Sequence, residues 1–247
     1  MGGTRVAVIG ASGRMGRQVC AAVESADDLE LTARIDLGDD VDAVAGSDVA
    51  VVFSVPDVAP QHVLACIGNG VHAVVGTSGW TSTSLDAVRS ALRQAPGVGV
   101  LVAPNFALGA VLLMKFAAMA APHYESVEIV ELHHPDKVDA PSGTARHTAE
   151  LVAAARRGAG CGPVPDATTT ELSGARGAEI DGIRVHSVRL RGLVAHEEVL
   201  LGGPGEQLTL RHDSFDRSSF MPGVLLGIRT VGSRPGLTVG LDHYLDG

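Results

Sequence analysis

Thr4-Arg-Val-Ala-Val-Ile-Gly-Ala-Ser-Gly-Arg-Met-Gly16 decides the fold class. Its first six residues form an apolar, β-branched run that predicts a buried strand. Gly10, Gly13 and Gly16 follow, and residues 14–23 then place Met15, Val19 and Val23 on one helical stripe. A second apolar strand, Leu29–Ile35, ends in Asp36, 20 residues after Gly16. Strand, glycine loop, helix, strand and terminal acid in that order make the dinucleotide-binding arrangement of a Rossmann unit. The glycines permit a tight turn and close pyrophosphate approach, the helix N-terminus faces the phosphates, and the acid meets the adenosine ribose. The spacing is GxxGxxG rather than GxGxxG, because position 12 is Ser.

Outward from that unit the alternation continues. Residues 49–55 read as a strand, 62–67 as helix, 72–75 as strand, 84–94 as helix and 98–102 as strand. Strands alternating with helices imply a parallel sheet with right-handed crossovers. Ligands of such sheets lie at the carboxyl ends of the strands. That rule selects Gly10, Ala11, Ser12, Gly13, Arg14, Met15 and Asp36 as cofactor-binding candidates. It adds Phe53-Ser54, then Gly76, Thr77 and Ser78, then Ala103, Pro104, Asn105 and Phe106.

Past Phe106 the character changes. A long apolar helix over residues 108–121 precedes Glu131-Leu-His-His-Pro-Asp-Lys-Val-Asp-Ala-Pro-Ser-Gly-Thr144. Residues 126–131 alternate apolar and polar as a half-buried strand does, and residues 145–157 carry helical spacing at Ala149, Val152 and Ala153. The stretch therefore reads as strand, loop and helix start, with its ionisable groups on the loop. His133 and Lys137 are candidates for proton transfer. His134, Ser142, Gly143 and Thr144 are candidates for holding an anion, since a helix start offers free N–H groups and side-chain caps. The bland reading of Ser142-Gly143-Thr144 is an ordinary N-cap.

Further on, residues 158–170 read as an exposed loop, and 184–190, 193–201 and 207–212 as extended segments. Strands grouped after βα units imply a second, mixed-sheet α+β domain. Residues 220–231 read as helix and 237–241 as strand, returning to the first domain. The expected division is residues 1–106 plus about 216–247 for dinucleotide binding, and about 107–215 for substrate binding and oligomerisation.

Composition narrows the function classes. The 247 residues carry 19 Lys plus Arg against 28 Asp plus Glu, a net charge of −9, which argues against a nucleic-acid binder. An anionic substrate then needs locally placed positive groups, which draws notice to Lys137 and the arginines. The three cysteines are scattered without CxxC spacing, pointing to free thiols in a reducing, cytoplasmic compartment. No zinc-type Cys/His spacing is present, and no metal site is expected. The N-terminus enters a strand at once, leaving no room for a signal peptide. The most apolar segment is interrupted by Lys115 and ends at Pro122, so no membrane span is expected.

With both stretches in view, the chain resembles the dihydrodipicolinate reductase family, in its actinobacterial branch. The resemblance runs nearly end to end and is carried by VIGASGRMG (8–16), VVGTSG (74–79), APNF (103–106) and above all ELHHPDKVDAPSGTA (131–145). It implies NAD(P)H-dependent reduction of a small cyclic dicarboxylate, with loss of water, to tetrahydrodipicolinate in diaminopimelate and lysine biosynthesis. It implies His133 and Lys137 as the acid/base pair, with Lys137 as proton donor, and His134, Gly143 and Thr144 on the substrate carboxylates. A homotetramer built through the second domain's sheet is also implied.

The chain departs from the family pattern where that usually reads Asp-Phe-Thr-basic-Pro. Here Val52-Phe53-Ser54-Val55-Pro56 keeps the hydroxyl and loses the acid and the base. Leu37 after Asp36 offers no positive group to a 2′-phosphate, and Asp36 repels one, so NADH is expected to be preferred over NADPH. Two alternatives share these features: a reductase of a related cyclic imine in specialised metabolism, and a non-catalytic NAD(H)-binding protein. The second has no use for His133 and Lys137.

Overall fold

The computed structural model describes residues 2–245. In chain order the regular elements are β1 (Thr4–Ile9), α1 (Arg14–Glu24), β2 (Leu29–Ile35), β3 (Val49–Val52), α2 (Ala59–Gly68), β4 (His72–Val75), α3 (Ser82–Leu92) and β5 (Gly99–Val102). There follow α4 (Leu108–Ala120), β6 (Ser126–His133), α5 (Gly143–Gly158), β7 (Ala178–Ile180), β8 (Ile183–Arg189), β9 (Ala195–Gly203) and β10 (Glu206–Ser214). The last are α6 (Met221–Thr230) and β11 (Gly236–Val239). The chain forms two compact units, one running to Ala107 and resuming at Arg217, the other spanning Leu108–Asp216.

The first unit is a six-stranded sheet in the order β11-β5-β4-β3-β1-β2, parallel at every pairing. Helices on a parallel sheet bury both faces of its inner strands, which then read as unbroken apolar runs. That is why Val49-Ala-Val-Val52 and Gly99-Val-Leu-Val102 show no alternation and are buried throughout. β2 lies at an edge and alternates, with Glu30 and Arg34 turned outward. The core gathers Ile9, Val52, Val63, Val75, Val88 and Val102, each buried side chain contributing roughly 1.5–3 kcal/mol.

Element ends differ from the sequence reading where polar punctuation was misread. The strand expected over 49–55 stops at Val52, so Phe53 and Ser54 are loop. The helix expected to contain 62–67 begins at Ala59, because Pro60 fits its first turn. The helix expected from 84 begins at Ser82, where Thr81 and Ser84 cap each other reciprocally.

The second unit is a mixed five-stranded sheet, β10-β9-β6-β8-β7, in which only β6 and β8 run parallel. Its core packs Val127, Ile129, Ile183, Val185, Val199 and Leu201 against Leu113 and Ala117 of α4 and Ala149 and Val152 of α5. Short β7, unforeseen in the sequence, pairs antiparallel with β8. Arg156, buried near the end of α5, donates to the carbonyls of Ala121, Tyr124, Glu125 and Gly162. The carbonyls of Tyr124, Glu125 and Gly162 lie outside helix and strand, and the guanidinium supplies donors to them. No described helix is long and apolar enough to cross a membrane.

Candidate active site

The cofactor candidates of the first unit lie where the parallel strands end. Gly10 follows β1 with φ +84°, and its N–H donates to the Ile35 carbonyl at 2.7 Å. A Cβ on Gly10 would lie 2.4 Å from the Phe53 carbonyl oxygen, and one on Gly16 would lie 1.9 Å from that of Gly10. Loop and helix thus meet backbone to backbone. Gly13 is the N-cap of α1 and supplies no side-chain cap, so the helix start presents N–H groups and the positive end of its dipole. Strand order reverses direction between β1 and β3, the crevice where such sheets bind nucleotides. This cradle suits a dinucleotide pyrophosphate.

Asp36, just past β2, turns its carboxylate back onto the loop. Its oxygens accept from the Ser12 N–H at 2.9 and 3.1 Å and from the Ser12 hydroxyl at 2.8 Å. Leu37 beside it is fully exposed. Nearby Arg34 is paired with Glu24. Gly76 passes under the Phe53 ring, 2.1 Å from where its Cβ would be. Buried Thr77 donates to the Ser54 carbonyl at 3.1 Å, and the Trp80 indole donates to the Thr77 carbonyl at 2.9 Å. Asn105 accepts from the Ala107 N–H at 2.8 Å, and the Phe53 and Phe106 rings sit 6.0 Å apart. Ser54, where the family motif departs, has its hydroxyl 3.1 Å from His62 Nδ1.

In the second unit, β6 runs two residues further than the alternation indicated and ends at His133. His134 lies beyond it, exposed, its carbonyl accepting from the Lys137 N–H at 3.3 Å. Lys137 Nζ donates to Asp139 Oδ1 at 2.6 Å. The Asp139 carboxyl is held below its ordinary range by Lys137 first, with burial opposing and the Gly143 N–H adding to the effect. Ser142 caps α5, accepting from the Ala145 N–H at 3.2 Å. Thr144 occupies the first turn, its carbonyl accepting from Thr148.

Two residues that sequence reasoning did not single out for the site hold these groups together. Glu131 is fully buried. Its carboxylate lies 2.5 Å from His133 Nδ1, takes the Arg189 fork at 2.8 and 2.9 Å, and accepts the Ser142 N–H at 3.2 Å. Burial raises this acid, but the hydrogen bonds of His133, Arg189 and Ser187 outweigh it and bring it to about 2. Arg189 also donates to the Asp139 carbonyl at 2.7 Å. His133, Lys137, Ser142 and Gly143 therefore share one connected network. A signal for Glu131 was present: it falls on the apolar phase set by Val127 and Ile129. For Arg189, 58 residues away, only the β6–β8 pairing supplies one.

Directly opposite Glu131 on β9 stands Glu197. Burial first, then the charge of Glu131, push its carboxyl up to about 7, while a Thr148 hydrogen bond opposes them. Its Oε1 has no hydrogen-bond partner among the described residues. Folding therefore favours the protonated form. The resulting stability is fully present below pH 4.5 and is lost as pH rises through about 7. Thermal unfolding is expected to show stability falling over that window, by an upper bound of roughly 3 kcal/mol at about 1.4 kcal/mol per pKa unit. Glu197→Gln should flatten the profile; an unchanged slope would rule out Glu197 as its source.

No group of three or more His, Cys, Asp or Glu among the described residues is placed to hold a metal ion. A Rossmann-type nucleotide unit carried in one chain with a unit bearing a connected histidine–lysine loop is the arrangement of a pyridine-nucleotide-dependent oxidoreductase. Two family models match, one described as dihydrodipicolinate reductase, N-terminus, over residues 4–106, the other as its C-terminus over residues 109–245. The chain belongs to the dihydrodipicolinate reductase family. The 4-hydroxy-tetrahydrodipicolinate reductases of Nocardia farcinica and Beutenbergia cavernae are 60% and 61% identical to it, each comparison covering 98% of both chains. The dipicolinate-bound dihydrodipicolinate reductase from Paenisporosarcina sp. TG-14 superposes with a TM-score of 0.88 at 37% identity, covering 98% of this chain and 99% of that one.

Proposed function

We propose that this chain reduces 4-hydroxy-tetrahydrodipicolinate, with loss of water, to tetrahydrodipicolinate, the step its relatives are named for. The observation that carries this reading is the shared network of His133, Lys137, Ser142 and Gly143 at the start of α5. Departure of the 4-hydroxyl with a hydrogen from the adjacent ring carbon, as water, leaves a conjugated C=C–C=N system, and a nicotinamide bound in the first unit would supply the hydride that adds to it. The protein's part is orientation and charge. His133 and Lys137 serve as acid and base, Lys137 giving the proton that balances the hydride. In the free chain, Asp139 occupies Lys137, and the Gly143 N–H helps keep its carboxyl low. A substrate carboxylate offers the same oxygens to the same donors and displaces it, while His134 and Thr144 flank the second carboxylate. That a relative binds dipicolinate, a planar dicarboxylate, supports this assignment.

Gly10, Ala11, Ser12, Gly13, Arg14 and Met15 would hold the pyrophosphate, and Asp36 the adenosine ribose. Gly76, Thr77 and Ser78 with Ala103, Pro104, Asn105 and Phe106 would line the nicotinamide end. Asp36 and the apolar Leu37 favour NADH, since a 2′-phosphate would meet a carboxylate with no cation after it. The half-exposed face of the second sheet, carrying Glu128, Val130, His186, Glu198 and Leu200, suits homotetramer assembly. Free Cys20, Cys66 and Cys161 suit the cytoplasm.

A coupled assay tests the reading. Dihydrodipicolinate synthase makes the labile substrate in situ, and loss of reduced-nicotinamide absorbance is followed. Synthase-dependent oxidation is expected, faster with NADH. A folded protein that binds NADH and oxidises neither cofactor would overturn it.

A further inference from the structure

The face of β6 that bears Val127 and Ile129 asks for an apolar side chain at residue 131, and the chain places a fully buried carboxylate there. A buried charge is costly unless its lone pairs are used. Here they are used by His133 Nδ1 at 2.5 Å, Arg189 at 2.8 and 2.9 Å and the Ser142 N–H at 3.2 Å. As a contribution to stability alone the arrangement is weakly motivated, since apolar replacements of buried ion pairs are often no less stable. Its connections are specific instead. One bond reaches the proton-transfer histidine and one the cap of the anion-binding helix. Through Arg189, another reaches the Asp139 carbonyl at 2.7 Å, on the residue whose side chain takes Lys137.

An ionised carboxylate accepts and never donates, so His133 Nδ1 carries the hydrogen of that contact. Nε2 is then the ring nitrogen left to exchange a proton. The neighbouring acid Glu197, directly across the ladder, favours its protonated form. Glu131, held by three donor groups, is the carboxylate of this pair that the surroundings keep ionised.

We propose that Glu131, clamped by Arg189, is the positioning residue of this site. It fixes His133 as the Nδ1–H tautomer with Nε2 directed to substrate, and it sets the spacing of His133 from Ser142 and Lys137. The proposal rests on the assignment of His133 to proton transfer.

Nitrogen NMR of the His133 ring in the wild-type protein tests it without any variant. In the neutral ring Nδ1 is expected to be protonated and Nε2 bare; a dominant Nε2–H form overturns the proposal. Glu131→Gln supplies the second test. One end of the amide is an NH2 group, and it must face donors from His133 or from Arg189 and Ser142. Mixed tautomers are expected, with kcat falling about 100-fold, the scale of a positioned proton-transfer group, and the NADH KM within about threefold. A kcat within about threefold of wild type overturns the proposal. Should Glu131→Gln not fold, Arg189→Lys keeps the charge, loses the planar fork and is read the same way. An inactive wild-type protein would refute the proposed reaction and leave the tautomer result standing, so the two failures are distinguishable.

Discussion

Lys137→Ala and His133→Ala are each expected to lower kcat by roughly 100- to 10,000-fold, the usual contribution of a positioned acid or base. NADH affinity should change by less than about threefold. The separation follows from where the groups sit: His133 and Lys137 belong to the unit spanning Leu108–Asp216, whereas the glycine loop and Asp36 belong to the other. Among the described residues, Lys137 is anchored by short-range hydrogen bonds, to Asp139 through its ammonium and to His134 through its backbone. Its truncation therefore leaves the β6–α5 framework in place. His133 is tied to Glu131, so His133→Ala also leaves a buried carboxylate short of one donor. A loss of a few °C in Tm should accompany its larger kinetic effect. Steady-state kinetics with NADH titrations by nicotinamide fluorescence decide the matter. Parallel loss of turnover and NADH binding would sink the role assignment.

Gly16→Ala should weaken NADH binding at least about 10-fold and destabilise the fold by roughly 1–3 kcal/mol, the cost of overpacking a close contact. The added Cβ would lie 1.9 Å from the Gly10 oxygen and 2.8 Å from the Ala11 Cα. Both obstacles are backbone, so no side-chain rotation relieves them. The only remedy is to move the loop proposed to admit the pyrophosphate. Gly68→Ala is the internal control. Gly68 is also helical, nothing lies within 4 Å of its Cβ position, and alanine should be neutral there or stabilise by about 0.5–1 kcal/mol. If both substitutions behave alike, the steric account of Gly16 is wrong.

The parallel sheet was legible because its inner strands carry unbroken Val and Ala runs, and burial on both faces leaves them no other composition. Helix starts were less so. The helix expected from about Ser84 starts earlier through the reciprocal cap of Thr81 and Ser84, and the start at Ala59-Pro60 rests on the fit of proline to a first turn. In the second unit the alternating strands were found, yet β7 was missed: three residues are too few for a period to register. The site divided the same way. Groups local in sequence, His133, Lys137 and Ser142-Gly143-Thr144, were visible as a cluster. Arg189 was not, because its connection to Glu131 exists only through strand pairing. Glu131 sat in the quoted stretch, and its misfit to the apolar phase was the unused clue.

The return of the chain to complete its first sheet bears on how the protein is made. β11, from the last residues described, pairs along β5 as its outer neighbour, although all of Leu108–Asp216 is translated between them. During synthesis the contiguous unit has its full sequence clear of the ribosome while the nucleotide unit still lacks an edge. Until β11 arrives, β5 offers a row of open hydrogen-bonding groups on a strand made of Gly99-Val-Leu-Val102, the kind of edge that recruits stray strands. Errors of assembly in this protein should therefore begin at β5, and truncation before Gly236 should yield aggregates rather than a smaller soluble reductase.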